Sequence, residues 1–223
     1  MAPMFTNLPP VTKALLIANG VVFVAQFLLG PALLPFQLWP LGGDSYSPYS
    51  QAPEFLPWQL LTYGFMHGGL MHLLFNMLAL VMFGTSLEYT WGNKRFLTFY
   101  LACVAGAGLC QLVVASWAVA EGHPPYATVG ASGGVFGLLL AYGMLFPHRR
   151  VMLLIPPIPM KARTLVIVYG AIELFMGVTG TGPGVAHFAH LGGMLFGWLL
   201  IRYWRGQAPF AKRRPPGGPW RPH

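Results

Sequence analysis

Hydrophobic residues in this chain fall in long runs, and polar residues gather in the breaks between them. A bilayer-crossing helix needs about 20 mostly apolar residues, and six runs approach or meet that length. The first covers about 11–29 and stops at Gly30-Pro31. The others cover about 69–89, 96–119, 132–146, 164–178 and 185–204. Gly122-His123-Pro124-Pro125 breaks the chain before the fourth, Pro147 closes it, and the Gly-rich Gly180–Gly184 separates the last two. Pro31 to about Leu61 is polar, Pro-rich and aromatic, with no apolar run of about 18 residues. It predicts a structured interfacial loop carrying Trp39, Asp44, Glu54 and Trp58. The pattern therefore predicts one six-helix membrane domain over 1–205. A basic, Pro-rich stretch at 206–223 lacks periodicity and reads as a disordered tail.

Composition agrees. The 223 residues are 55% hydrophobic and 8% charged, against about 25% charged in a soluble domain. Residues 1–10 hold no basic segment and no small-residue cleavage site follows the first run, so that run is expected to stay in the protein. Cys103 and Cys110 lie seven residues apart in one expected helix. That is a rise of about 10 Å, too far for a disulfide, so they read as packing residues.

Charge fixes the orientation expected. Cytoplasmic loops collect Lys and Arg. With the N-terminus inside, Lys13, Lys94, Arg95, Arg149, Arg150, Lys161, Arg163, Arg202, Arg205, Lys212, Arg213, Arg214 and Arg221 all fall inside. Those are all 13 basic residues, while Asp44, Glu54 and Glu121 fall outside. Six spans with both termini cytoplasmic satisfy the pattern; an odd number would scatter it. The net charge of +8 then reads as affinity for an anionic leaflet, not for nucleic acid.

Polar groups within spans are costly and mark function by default. His72 and Asn76 come early in the second run, Ser132 opens the fourth, and His187 and His190 come early in the sixth. All three runs point the same way across the membrane, so these groups share one depth near the outer face. His72 and Asn76, four apart, share a helix face, as do His187 and His190, three apart. Ser132 sits in Thr128-Val129-Gly130-Ala131-Ser132-Gly133-Gly134-Val135-Phe136-Gly137. Those small residues suit close helix packing or a backbone that admits substrate to a nucleophile. A serine needs a base, and a histidine titrating near neutrality suits that role. His72, Asn76 and the first amides of the fourth helix are candidate oxyanion donors. No carboxylate is expected behind the histidine, since Glu88 falls at the inner end of the second span and Glu173 mid-span in the fifth. The expectation is a dyad, with Glu173 and His187 unassigned.

Three rival readings remain at this point. A metal enzyme could use His72, His187 and His190, although no His-Glu-x-x-His motif or ligand-grade Asp or Cys is expected at that depth. A non-catalytic binding protein or chaperone would need neither serine nor histidine. A transporter would need polar groups continuing through the bilayer.

The motifs resemble those of the rhomboid family of intramembrane serine proteases. They are His67-Gly68-Gly69-Leu70-Met71-His72-Leu73-Leu74-Phe75-Asn76, then Gly130-Ala131-Ser132-Gly133, then Ala189-His190-Leu191-Gly192-Gly193 with Gly197. Phe83-Gly84-Thr85-Ser86-Leu87-Glu88, continuing to Gly92 and Arg95-Phe96, is similar to the family's second-helix end. The resemblance covers about Pro10–Arg205. It implies Ser132 as nucleophile, His190 as general base, and His72, Asn76 and the Ser132 amide as the oxyanion hole. Gly193 would bring the sixth helix close to the fourth. Gly130, Gly133, Gly197, His67 and Glu88 would have supporting roles, Glu88 as a partner of backbone or Arg95. It further implies transmembrane protein substrates cut near the outer face, often after a small residue, without metal or other cofactor, and the compact six-span form adds the expectation of a bacterial inner membrane. One departure is Trp58-Gln59 where the family often has Trp-Arg.

Overall fold

The computed structural model describes residues 8–43, 52–152, 157–182, 184–207 and 209. Asp44, assigned above to the first loop, and nearly all of the expected 206–223 tail lie outside the described residues.

The apolar runs become helices whose ends follow from local chemistry. Helix α1 (Pro10–Leu29) starts on a proline, whose missing N–H costs nothing at the first helical position, and ends at Gly30. A 3₁₀ helix (Gly30–Phe36) and the short α2 (Gln59–Thr62) shape the first loop. The second apolar run is not one regular helix. It comprises α3 (Leu70–Ala79), a π-helical turn (Leu80–Gly84) and α4 (Thr85–Trp91). Gly92 has φ 76° and turns the chain directly into α5 (Asn93–Ala120), so Lys94 and Arg95 lie in its first turn. Helix α6 (Ser132–Leu145) follows. A small hairpin of β1 (Arg150–Met152) and β2 (Pro159–Lys161) then pairs Arg150 with Lys161. Helix α7 (Ala162–Thr179) ends on Gly180 in the left-handed conformation, and α8 (His187–Trp204) completes the chain.

By length and composition, Pro10–Phe36, Leu70–Trp91, Asn93–Ala120 and Ala162–Thr179 can each cross a membrane. Helix α6 is shorter, and α8 is diluted by His187, His190 and glycines. The fold is an all-α polytopic membrane bundle. Helices α5, α6 and α8 form its centre, while α1 and α7 lie at the edge. Phe27 on α1 is 86% exposed and Phe175 on α7 is 65% exposed, apolar surface suited to lipid.

The first loop is held by side-chain amides. The buried Gln59 accepts from the Trp39 amide at 3.1 Å. Its Nε2 donates to the carbonyls of Pro35 and Glu54, each at 3.1 Å. The indoles of Trp39 and Trp58, expected as interfacial anchors, donate to the carbonyls of Leu34 and Pro35. A neutral amide thus ties the 35–39 and 54–59 segments of the loop together, where an arginine would leave a buried charge needing a partner.

Candidate active site

Ser132 is the first residue of α6. The turn before it depends on Gly130, whose φ of 138° disfavours any other residue. A Cβ there would also lie 2.9 Å from His72 Nε2 and 3.5 Å from Ser132 Oγ. The missing side chain leaves one small space faced by both groups.

His190, in the first turn of α8, brings its Nε2 to 2.8 Å from Ser132 Oγ. The approach depends on Gly193, one turn further on, where a Cβ would collide with the Gly133 carbonyl oxygen. At Gly197 it would lie 3.0 Å from the Phe99 ring and 3.5 Å from the Gly137 Cα. The His190 ring also stacks on Phe136, with centroids 4.2 Å apart and planes 6° from parallel. Phe136 is one turn beyond Ser132, so α6 supplies both the hydroxyl and the surface that sets the imidazole plane.

His72 accepts a hydrogen bond from the Gly68 amide on Nδ1 at 3.3 Å. An accepting Nδ1 in a neutral ring leaves the proton on Nε2, the nitrogen beside Gly130. Asn76 donates from Nδ2 to the His72 carbonyl at 2.9 Å, and both residues line one cavity. That cavity, of about 1390 Å³, runs between α3 and α7 and is lined by His72, Asn76, Ser132, Phe136, Tyr169 and His190 among others. The first amides of α6 have no acceptor within their own helix. The space beside Ser132 is therefore faced by several donors and one base.

His67 lies behind His72, their ring centroids 5.1 Å apart. Gln26 of α1 clamps its backbone, accepting from the His67 amide at 2.9 Å and donating to its carbonyl at 3.2 Å. Burial first, then the neighbouring His72, lowers the His67 pKa to about 4, so near neutral pH it adds no charge beside His72. Glu88 is remote from this cluster. It accepts from the Val11 amide (2.8 Å), the Thr12 amide (2.7 Å) and the Thr12 hydroxyl (2.8 Å), capping α1. Arg95, considered as its partner, instead places its guanidinium 4.2 Å over the Trp204 ring.

The expectation that no carboxylate falls behind the histidine is overturned. Glu173 Oε2 lies 2.9 Å from His190 Nδ1 and 2.7 Å from His187 Nδ1. Glu173 also brings a carboxylate to that depth, where the expectation concerned only Asp and Cys ligands. Glu173, His187 and His190 offer ligand atoms all within 4.8 Å of one another; His72, in the rival metal set, is not among them. The reason is helix-hairpin geometry. Glu173 and His187 lie seven residues either side of Gly180 (180 − 173 and 187 − 180). An antiparallel pair turning there brings them level. That symmetry was readable in the chain; counting Glu173 as mid-span obscured it. Gln26 and Phe136 were also missed, because an isolated amide or aromatic in an apolar run carries no spacing signal.

A family model for the Rhomboid domain matches residues 55–206. RHOMBOID-like protein 4 of Arabidopsis thaliana is 35% identical over 78% of this chain and 39% of its own length. Rhomboid protein 1, mitochondrial, of Saccharomyces cerevisiae is 28% identical over 89% of this chain and 58% of its own. Rhomboid protease GluP of Bacillus subtilis is 33% identical over 64% of this chain and 25% of its own. The chain thus spans less than two thirds of each of these relatives.

Proposed function

Because the chain belongs to the rhomboid family, we propose that it is an intramembrane serine endopeptidase with Ser132 as nucleophile and His190 as general base. The observation that carries this reading is the 2.8 Å contact between His190 Nε2 and Ser132 Oγ, made between residues 58 apart in sequence. A serine hydroxyl is a weak nucleophile until a base accepts its proton. As Oγ bonds to the substrate carbonyl carbon, its proton passes to His190 Nε2. His190 returns that proton to the leaving nitrogen as the C–N bond breaks, and water then cleaves the acyl-enzyme by the same relay.

Charge developing on the carbonyl oxygen needs fixed donors. His72 Nε2–H, the Asn76 amide and the Ser132 amide take this role. Gly130, Gly133, Gly193 and Gly197 let these backbones and rings converge, and His67 supports His72. Substrates are membrane-anchored proteins with one transmembrane segment, which reach the serine through the cavity between α3 and α7. The protein is a multi-pass membrane protein; the reading places it in a bacterial inner membrane, both termini cytoplasmic and the site toward the outer face. The membrane domain extends over 1–205.

The test is cleavage of a single-span reporter in liposomes by wild type, Ser132→Ala and His190→Ala. Wild type should cleave, and both variants should lose at least about 10³-fold in rate. Equal cleavage by all three would end the proposal.

A further inference from the structure

The buried cluster behind His190 has no role in a serine–histidine pair. Glu173 extends from α7 between the two imidazoles of α8, and all three side chains are buried. His187 Nε2 lies 3.1 Å from the Thr181 carbonyl oxygen, which can only accept, so that nitrogen carries a proton. The 2.7 Å contact between His187 Nδ1 and Glu173 Oε2 then holds one more proton. Either His187 is an imidazolium facing a carboxylate, or Glu173 is a carboxylic acid donating to a neutral His187. In both distributions Oε2 keeps a lone pair for a second donor.

His190 Nδ1 is that second group, 2.9 Å from the same oxygen. No aligned hydrogen bond satisfies this buried nitrogen; its ring plane is set by the stack on Phe136, and the oxygen lies off its N–H axis. The contact is therefore mainly electrostatic, and attraction between charges depends on distance rather than alignment. It still selects a tautomer. With a proton on Nδ1, His190 faces the oxygen favourably and leaves the Nε2 lone pair toward Ser132. The other tautomer leaves a partial negative charge on Nδ1 beside the oxygen and puts the proton on Nε2, which blocks the base.

We propose that Glu173, held in place by His187, is a positioning residue for His190, so that a carboxyl group on α7 completes a three-residue arrangement behind Ser132. This rests on the serine-protease reading above. When Ser132 Oγ loses its proton to His190 Nε2, the imidazolium keeps its Nδ1–H, and Glu173 lies 2.9 Å from it. No proton moves to Glu173; its protonation is unchanged through acylation and deacylation. Removing it should slow proton transfer without changing substrate binding.

The experiment uses the full chain in liposomes, comparing wild type, Glu173→Gln and Glu173→Asp. Three quantities are measured: the rate of Ser132 labelling by a fluorophosphonate, kcat and KM for reporter cleavage, and the melting temperature. Glu173→Gln should lower both kcat and labelling by roughly 10- to 100-fold, part of the ~10²–10⁴ that general acid–base catalysis contributes. KM should stay within about twofold, since Glu173 acts on proton transfer and not on uniform binding. Glu173→Asp should recover part of the rate, and carries the test alone if the glutamine variant fails to fold. Wild-type rates in either variant, or losses that only track melting temperature, overturn the proposal while leaving Ser132 and His190 in place. Activity lost to a chelator and restored by zinc would make the cluster a metal site and overturn it equally. A wild-type protein that the probe does not label overturns the reading beneath it instead.

Discussion

Glu88 and Glu173 are both buried, 1% and 8% exposed, and they lie near opposite ends of the bundle. Glu88 is 16 residues beyond His72 along the second span (88 − 72), a rise of about 24 Å. The two carboxylates have different partners. Glu88 takes two backbone amides and a hydroxyl, groups that do not titrate, and its charge meets the N-terminal end of the α1 dipole. Glu173 takes two imidazoles, groups that gain and lose protons. Fixed donors make a buried carboxylate a fastener, whereas titratable partners let its field bear on where their own protons sit. Burial alone does not distinguish the two roles; the partners do.

The comparison breaks hardest at Glu88. Glu88→Ala strands three donors, the two of Thr12 buried and the Val11 amide partly so, and should destabilise the protein by about 3 kcal/mol, measured by unfolding in mild detergent. The surviving folded fraction should label Ser132 at the wild-type rate. Loss of intrinsic labelling rate in that fraction would show that the two ends are coupled.

At the other end, Gly193→Val should push α8 away from the Gly133 carbonyl. A displacement of about 1 Å between nucleophile and base costs about 100-fold in rate. Fluorophosphonate labelling should fall by that factor, and retained labelling would show that α8 absorbs the side chain elsewhere. The smallest expected effect is at Thr12→Val, which removes the hydroxyl donor and keeps the Thr12 amide. It should cost about 1 kcal/mol in the same unfolding assay, with cleavage by the folded protein unchanged.

Much of the fold was legible because membrane solvation writes it into composition. Apolar runs and their glycine and proline breaks come from the cost of placing polar groups in hydrocarbon, which acts locally at each position. The site was legible in part for a related reason. Ser132, His72, Asn76 and His190 are rare polar groups in apolar runs, and each lies within about two turns of the start of its run. The π-helical turn at Leu80–Gly84 was not legible, since its residues are as apolar as their neighbours.

The sequence by itself determined which segments are helical, that they form a membrane bundle, and which polar side chains are costly there. Only the tertiary structure decided which of those side chains meet. Within its own run of residues Glu173 is mid-span. Its neighbours follow instead from the antiparallel turn at Gly180 and from how closely α8 packs on α6 across Gly193 and Gly133. Contact between helices depends on relative depth and rotation, which backbone collisions and buried proton donors set jointly, and no single run of residues encodes them.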